Sequence, residues 1–162
     1  DELSLWADAA KKSPLMPEAQ YNWGYALHLN GNLESARSAY EKAIALNPHY
    51  ARALNNLGAI YKREGKLEKA RNAFETALVS EPENAETLNN IGLCHAALGQ
   101  HDQALWFYKH SLQLEPDRAE IWLNMGLSLR DLGEIQEAGT ALRRALTLDP
   151  NIKQLIQRPT AP

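Results

Sequence analysis

The sequence predicts an all-α fold, a right-handed α-solenoid of antiparallel helix pairs, and three observations lead there. Gly24, Gly58, Gly92 and Gly126 stand 34 residues apart, as do Gly31, Gly65, Gly99 and Gly133. Pro14, Pro48, Pro82, Pro116 and Pro150 keep the same interval. A phrase built around the first glycine series recurs as Leu54-Asn55-Asn56-Leu57-Gly58, Leu88-Asn89-Asn90-Ile91-Gly92 and Trp122-Leu123-Asn124-Met125-Gly126, with a looser copy at Gln20-Tyr21-Asn22-Trp23-Gly24. A fixed period in this range marks a solenoid, because one unit alone cannot bury its apolar face.

Taken in order, residues 1–16 read as the second helix of an incomplete unit, with Trp6, Ala9 and Ala10 on its inner side and Pro14 closing it. Residues 17–50, 51–84, 85–118 and 119–152 are four complete units. In 51–84 the residues Leu54, Leu57, Gly58 and Tyr61 follow the i, i+3, i+4, i+7 rule of one buried helical face. Gly65 ends that helix, since glycine adopts the left-handed conformation that stops it. Leu67, Ala70, Phe74, Ala77 and Leu78 form the stripe of a second helix, which Pro82 bars from continuing. Gly58 and Ala70 are small where the two helices should cross. Residues 153–162 are a short helical stub and tail, in which Ile152, Leu155 and Ile156 are expected to pack on the last unit before Pro159. A stub in place of a full cap leaves apolar surface at an open end, a route to self-association.

Composition narrows the function. The chain has 162 residues, a net charge of −3 and 44% hydrophobic residues, enough for a sizeable core but hardly for two independent domains. Its charges are unclustered and slightly acidic, which argues against nucleic acid, whose binding needs a basic stripe. The single cysteine, Cys94, rules out an internal disulfide. No apolar run approaches the roughly 20 residues that span a bilayer, so no direct membrane insertion is expected. The chain opens without Met and inside a structural unit, which reads as part of a longer protein. The compartment stays open between the cytoplasm and the extracytoplasmic (periplasmic) side of a membrane protein.

Catalytic constellations are not found. Cys94 and His95 are neighbours on one helix, about 100° apart, and cannot pair as nucleophile and base. His28, His49, His101 and His110 lack metal-ligand spacing, and the glycines are taken by structure. No enzyme activity, metal or cofactor is expected.

The repeating pattern resembles the tetratricopeptide repeat, a helix-turn-helix of 34 residues. Its signature positions are held in 51–84 by Leu54, Leu57, Gly58, Tyr61, Ala70, Phe74, Ala77 and Pro82. Residues 85–118 match through Leu88, Ile91, Gly92, Ala104, Tyr108 and Pro116, and depart at His95 and Ser111. Residues 119–152 match through Trp122, Gly126, Ala138, Ala145 and Pro150, with Leu142 for the usual aromatic. Residues 17–50 match through Trp23, Gly24, Leu27, Ala36, Tyr40, Ala43 and Pro48, and depart at Gln20.

The resemblance implies that the first helix of each unit lines a concave face used for protein or peptide partners. On the side away from the buried stripe lie Arg52, Asn56, Ala59 and Arg63, and their counterparts Glu86, Asn90, Leu93 and Ala97 in the next unit. Asparagine is a mediocre helix former, costing up to about 0.7 kcal/mol relative to alanine, so Asn22, Asn56, Asn90 and Asn124 call for a reason. Each amide offers a donor and an acceptor that match an extended peptide backbone. This looks like the asparagine ladder of O-linked N-acetylglucosamine transferases. The alternative is that these amides bond between neighbouring helices. Asn55 and Asn89 fall at the groove's edge.

Selectivity is expected from Tyr21, Tyr25 and Tyr50, from the basic Arg52, Lys62 and Arg63, and from the apolar Leu93, Ala97, Leu123 and Leu127. The ligand expected is an extended segment with an acidic residue near the second unit. The chaperone-tail version of this fold clamps a carboxylate with lysine and asparagine. Tyr21, Tyr25, Asn55 and Ala59 occupy those positions here and disfavour it. Trp106 is expected on the outward face, either as a contact for another domain or folded over its neighbours. Two further readings remain: a non-catalytic arm of a larger membrane-bound glycosyltransferase, because Leu5-Trp6-Ala7-Asp8 through Lys12-Ser13-Pro14 resembles the junction in O-mannosyl-type enzymes, and a scaffold that assembles through its ends.

Overall fold

A computed structural model describes residues 2–156. Among them are ten α-helices, one short 3-10 turn and no strand. The chain divides into two compact units between Pro82 and Glu83. The first holds α1 (Glu2–Lys12), α2 (Pro17–Leu29), α3 (Leu33–Leu46), α4 (Ala51–Arg63) and α5 (Leu67–Ser80). The second holds α6 (Ala85–Ala97), α7 (His101–Leu114), α8 (Ala119–Asp131), α9 (Ile135–Leu148) and α10 (Lys153–Ile156), the last preceded by the 3-10 turn Pro150–Ile152. From α2 to α9, helices of 13 and 14 residues alternate. No described helix is long and apolar enough to cross a membrane.

Local chemistry sets these boundaries. Pro17 opens α2 at a position whose N–H has no helical partner in any case. Asn32 and Asn84 cap α3 and α6, their side chains accepting from Ser35 N at 3.2 Å and Thr87 N at 2.9 Å. Gly65 closes α4 at φ 74°. That turn lets the Lys66 N–H reach back to the Tyr61 carbonyl at 2.9 Å, which satisfies an orphan acceptor at the helix end.

In the first unit Leu27, Ala36, Ala39, Tyr40, Ala43, Ala53, Leu57 and Ile60 form a buried cluster. In the second, Ala104, Tyr108, Leu112, Ile121, Met125 and Ala141 do so. In three of the four pairs an aromatic ring lies over a glycine, and in the pair of α8 and α9 Leu142 takes that place over Gly126. A Cβ at Gly58 would stand 2.7 Å from the Phe74 ring, and one at Gly24 would stand 2.8 Å from the Tyr40 ring. The Phe74 ring makes the nearest contact at Gly58, and Ala70 is fully buried. Tyr61 is only half-buried, and its hydroxyl donates to Glu41 Oε1 at 3.3 Å.

The polar departures from the repeat signature each carry a bond. Buried Gln20 donates to the carbonyls of Ala10 (3.3 Å) and Pro14 (3.4 Å), tying the end of α1 to α2. Ser111, fully buried, donates to the Ala85 carbonyl at 2.6 Å. His95 is buried, donates through Nδ1 to Gln100 Oε1 at 2.7 Å and stacks on Phe107. A buried polar group without such a partner costs about 1–3 kcal/mol.

The C-terminal stub packs less than expected. Ile152 is buried with Leu123 and Ala145, but Leu155 is 44% exposed because the single turn of α10 carries it away from that cluster. Ile156 is helical. Pro159 lies outside the described residues.

Candidate peptide-binding site

In the first unit three tyrosines gather around Tyr21. Its ring centroid is 6.2 Å from Tyr25 with the planes 21° apart, 5.9 Å from Tyr40 and 5.4 Å from Tyr50. The helical spacing of Tyr21 and Tyr25 puts them on one face of α2, while Tyr50 enters from the turn before α4 and Tyr40 from α3. Tyr40 is sealed in the core. Tyr21 and Tyr50 are half-buried, and Tyr25 is 46% exposed.

Asn56 of α4 lies against this cluster and donates through Nδ2 to the Tyr40 hydroxyl at 3.2 Å. Burial pushes the Tyr21 phenol's pKa up, and the Asn56 amide bonded to its oxygen and the Arg52 guanidinium pull it back. Burial also pushes the Tyr40 phenol far above its ordinary value, with Tyr21 adding to the rise and Asn56 opposing it. At Tyr50 burial and then the Glu18 carboxylate raise the phenol, against Arg52. Arg52 itself is exposed and has no ion pair among the described residues. Beside it opens a cleft of about 330 Å³ lined by Glu18, Asn47, His49, Tyr50, Arg52 and Ser80.

The other expected site residues are placed as follows. Asn22 is half-buried on α2. Lys62 and Arg63 sit in the last turn of α4, whereas Arg52 is in its first. A rise of 1.5 Å per residue separates them by about 15 Å, so the three do not form one basic patch. Asn55 is half-buried on α4.

In the second unit Asn124 is half-buried and donates through Nδ2 to Asn89 Oδ1 at 3.0 Å. Asn89 is 6% exposed. This corrects its expected place at the groove edge: a neighbouring amide covers it, and it serves Asn124 as acceptor. Asn90 is half-buried. Leu123 is also buried, because Ile152 closes over it, so it leaves the expected apolar groove set. Leu93 and Leu127 are half-buried against the two clusters of this unit, and Ala97 is exposed. Trp106 folds over two neighbouring rings and stays half-open to solvent. It is 54% exposed, lies tilted against the His110 ring at 3.8 Å and meets Phe107 edge-on at 4.8 Å.

Sequence reasoning missed Tyr40 as a partner of the asparagine series. The signal was present, since Tyr40 stands at a signature position of the unit before Asn56, but the signature assigns that aromatic to the core alone.

Helix pairs of constant length, repeating every 34 residues with a large apolar or aromatic side chain over a glycine, define an α-helical repeat protein. Family models described as tetratricopeptide repeat match residues 15–78, 60–112 and 119–152. The chain belongs to the tetratricopeptide repeat family. It is such a family's interaction or scaffold module, and proteins of this kind are typically non-catalytic. Among curated proteins, none matches the sequence. Among solved structures, a crystal structure of MamA superposes with a TM-score of 0.84 at 20% identity, covering 94% of this chain and 89% of that one. MamA 41-end from Desulfovibrio magneticus RS-1 does so with a TM-score of 0.84 at 19% identity, covering 92% and 84%. At these identities the likeness is one of fold.

Proposed function

We propose that the chain binds an extended peptide segment along the exposed faces of its first helices. Within residues 17–50, 51–84, 85–118 and 119–152, taken as repeats, the contact positions are Asn22, Asn56, Asn90 and Asn124. Tyr21, Tyr25, Arg52, Asn55, Lys62, Arg63, Leu93 and Leu127 supply selectivity. The observation that carries this reading is the tyrosine cluster. It presents a half-open aromatic surface on a rigid helix, beside an exposed guanidinium with no ion pair among the described residues. Aromatic residues and arginine dominate the binding energy of protein interfaces, and a pre-formed surface limits the entropy cost of association.

An array of immobilised random peptides probed with the protein tests this. Retention of a defined subset, lost on Asn56→Ala/Asn90→Ala, supports the full ladder. Retention unchanged by that pair removes those two asparagines from the grip, and no retention at all contradicts peptide binding. The acidic preference rests on Arg52 and Arg63. Binding insensitive to salt and to Arg63→Glu counts against it.

A second reading, self-association, draws support from exposed apolar side chains at Leu5, Leu15, Met16 and Leu155. Light scattering that finds a monomer at high concentration contradicts it.

A further inference from the structure

The tyrosine site joins packed aromatic rings to phenol and guanidinium donors, and that combination deepens the proposed peptide binding, on which it rests. The Asn56 amide donates to the phenol oxygen of Tyr40 at 3.2 Å. A phenol has one O–H and accepts through the same oxygen. Tyr25, 46% exposed, brings a further O–H, and half-buried Tyr50 another. Arg52, exposed at the edge of the same cluster, offers only donors.

An ordinary extended peptide brings one N–H for every C=O. A proline-rich segment brings carbonyls without N–H groups. Its polyproline II form has no internal hydrogen bonds and leaves those carbonyls free. It also offers flat, apolar rings, and aromatic-lined surfaces take such segments at low entropy cost because the helix is pre-formed. The Tyr21 and Tyr25 rings, 21° from parallel, with Tyr50 tilted 52° to Tyr21, make an aromatic corner of this kind.

We propose that the tyrosine face formed by Tyr21, Tyr25 and Tyr50 with Arg52 is a docking site for a proline-rich segment of a partner protein. The rings pack the pyrrolidines, and the phenol O–H groups and the Arg52 guanidinium donate to the segment's carbonyls. An acidic residue next to the prolines adds an ion pair with Arg52.

The test titrates a ten-residue polyproline peptide, and a ten-residue glycine-serine peptide as control, into the full chain by calorimetry. The expected result is polyproline binding at least ten times tighter than the control, weakened at least tenfold by Tyr25→Ala and by Arg52→Ala. Tyr25 and Arg52 are exposed, and circular dichroism of both variants reports that the fold is retained. Equal affinity for the two peptides overturns the inference, as does polyproline binding untouched by Tyr25→Ala. If array peptides without proline are retained and Tyr25→Ala releases them, the peptide-binding reading stands and the proline preference falls. If no peptide is retained, both fall.

Discussion

Asn56 on α4 donates through Nδ2 to the hydroxyl of Tyr40 on α3, at 3.2 Å. The bond joins two consecutive helix pairs and gives an asparagine facing the expected groove a task inside the fold. The equivalent amide of Asn124 also donates, but to Asn89 Oδ1 at 3.0 Å. One sequence position thus makes two different bonds, according to the neighbour it meets.

The Asn56–Tyr40 bond is measurable in a double-mutant cycle. Asn56→Ala and Tyr40→Phe should each lower stability, with a coupling of about 1 kcal/mol, the usual net contribution of a neutral hydrogen bond. Urea denaturation of the two single variants and the double variant reads it. Strict additivity means that the bond contributes nothing.

Two glycines of one hairpin should fail for different reasons when replaced by alanine. At Gly58 the new methyl meets the Phe74 ring at 2.7 Å, and overpacking of this kind costs about 1–3 kcal/mol. At Gly65 nothing lies within 4 Å, and the penalty comes from a backbone φ of 74°, about 1–2 kcal/mol. Phe74→Ala should rescue Gly58→Ala in part and leave Gly65→Ala unchanged, as judged from denaturation midpoints.

Gln20→Leu restores the commoner residue at its repeat position, yet should destabilise. It leaves the Ala10 and Pro14 carbonyls without their side-chain donor, at a cost of about 1–3 kcal/mol for the buried acceptor. Amide exchange should accelerate in α1 and little elsewhere. Unchanged α1 protection contradicts this role.

Alkaline pH should unfold the chain. Burial raises the Tyr40 and Tyr108 phenols above their ordinary value of about 10. The folded state therefore holds these protons more tightly than the unfolded state. Their contribution is complete below about pH 10 and is lost as pH rises through the folded-state values. Denaturation midpoints should fall as pH rises above about 10, and less steeply in Tyr108→Phe. An identical slope in that variant excludes Tyr108 as a source.

Periodicity made the fold legible. Turn glycines such as Gly65 stand where the chain needs a left-handed residue, and each helix runs where its apolar stripe runs. The site was less legible because a helical face states direction and not occupancy. Asn56 points where its register places it, but its amide meets Tyr40, 16 residues earlier in the chain. Leu123 shares the register of Tyr21 and is buried nonetheless, because Ile152 from the last turn covers it. Such contacts depend on neighbouring pairs and leave no mark in the repeat.

The most direct test of peptide binding at the tyrosine face is an amide chemical-shift titration of the labelled chain with a peptide retained on the array. The account predicts that the largest shifts fall at Tyr21, Tyr25, Tyr50, Arg52 and the Asn56 side-chain amide. Shifts confined to the second helices, around Ser38, Asn72 and Trp106, with α2 and α4 unmoved, contradict it.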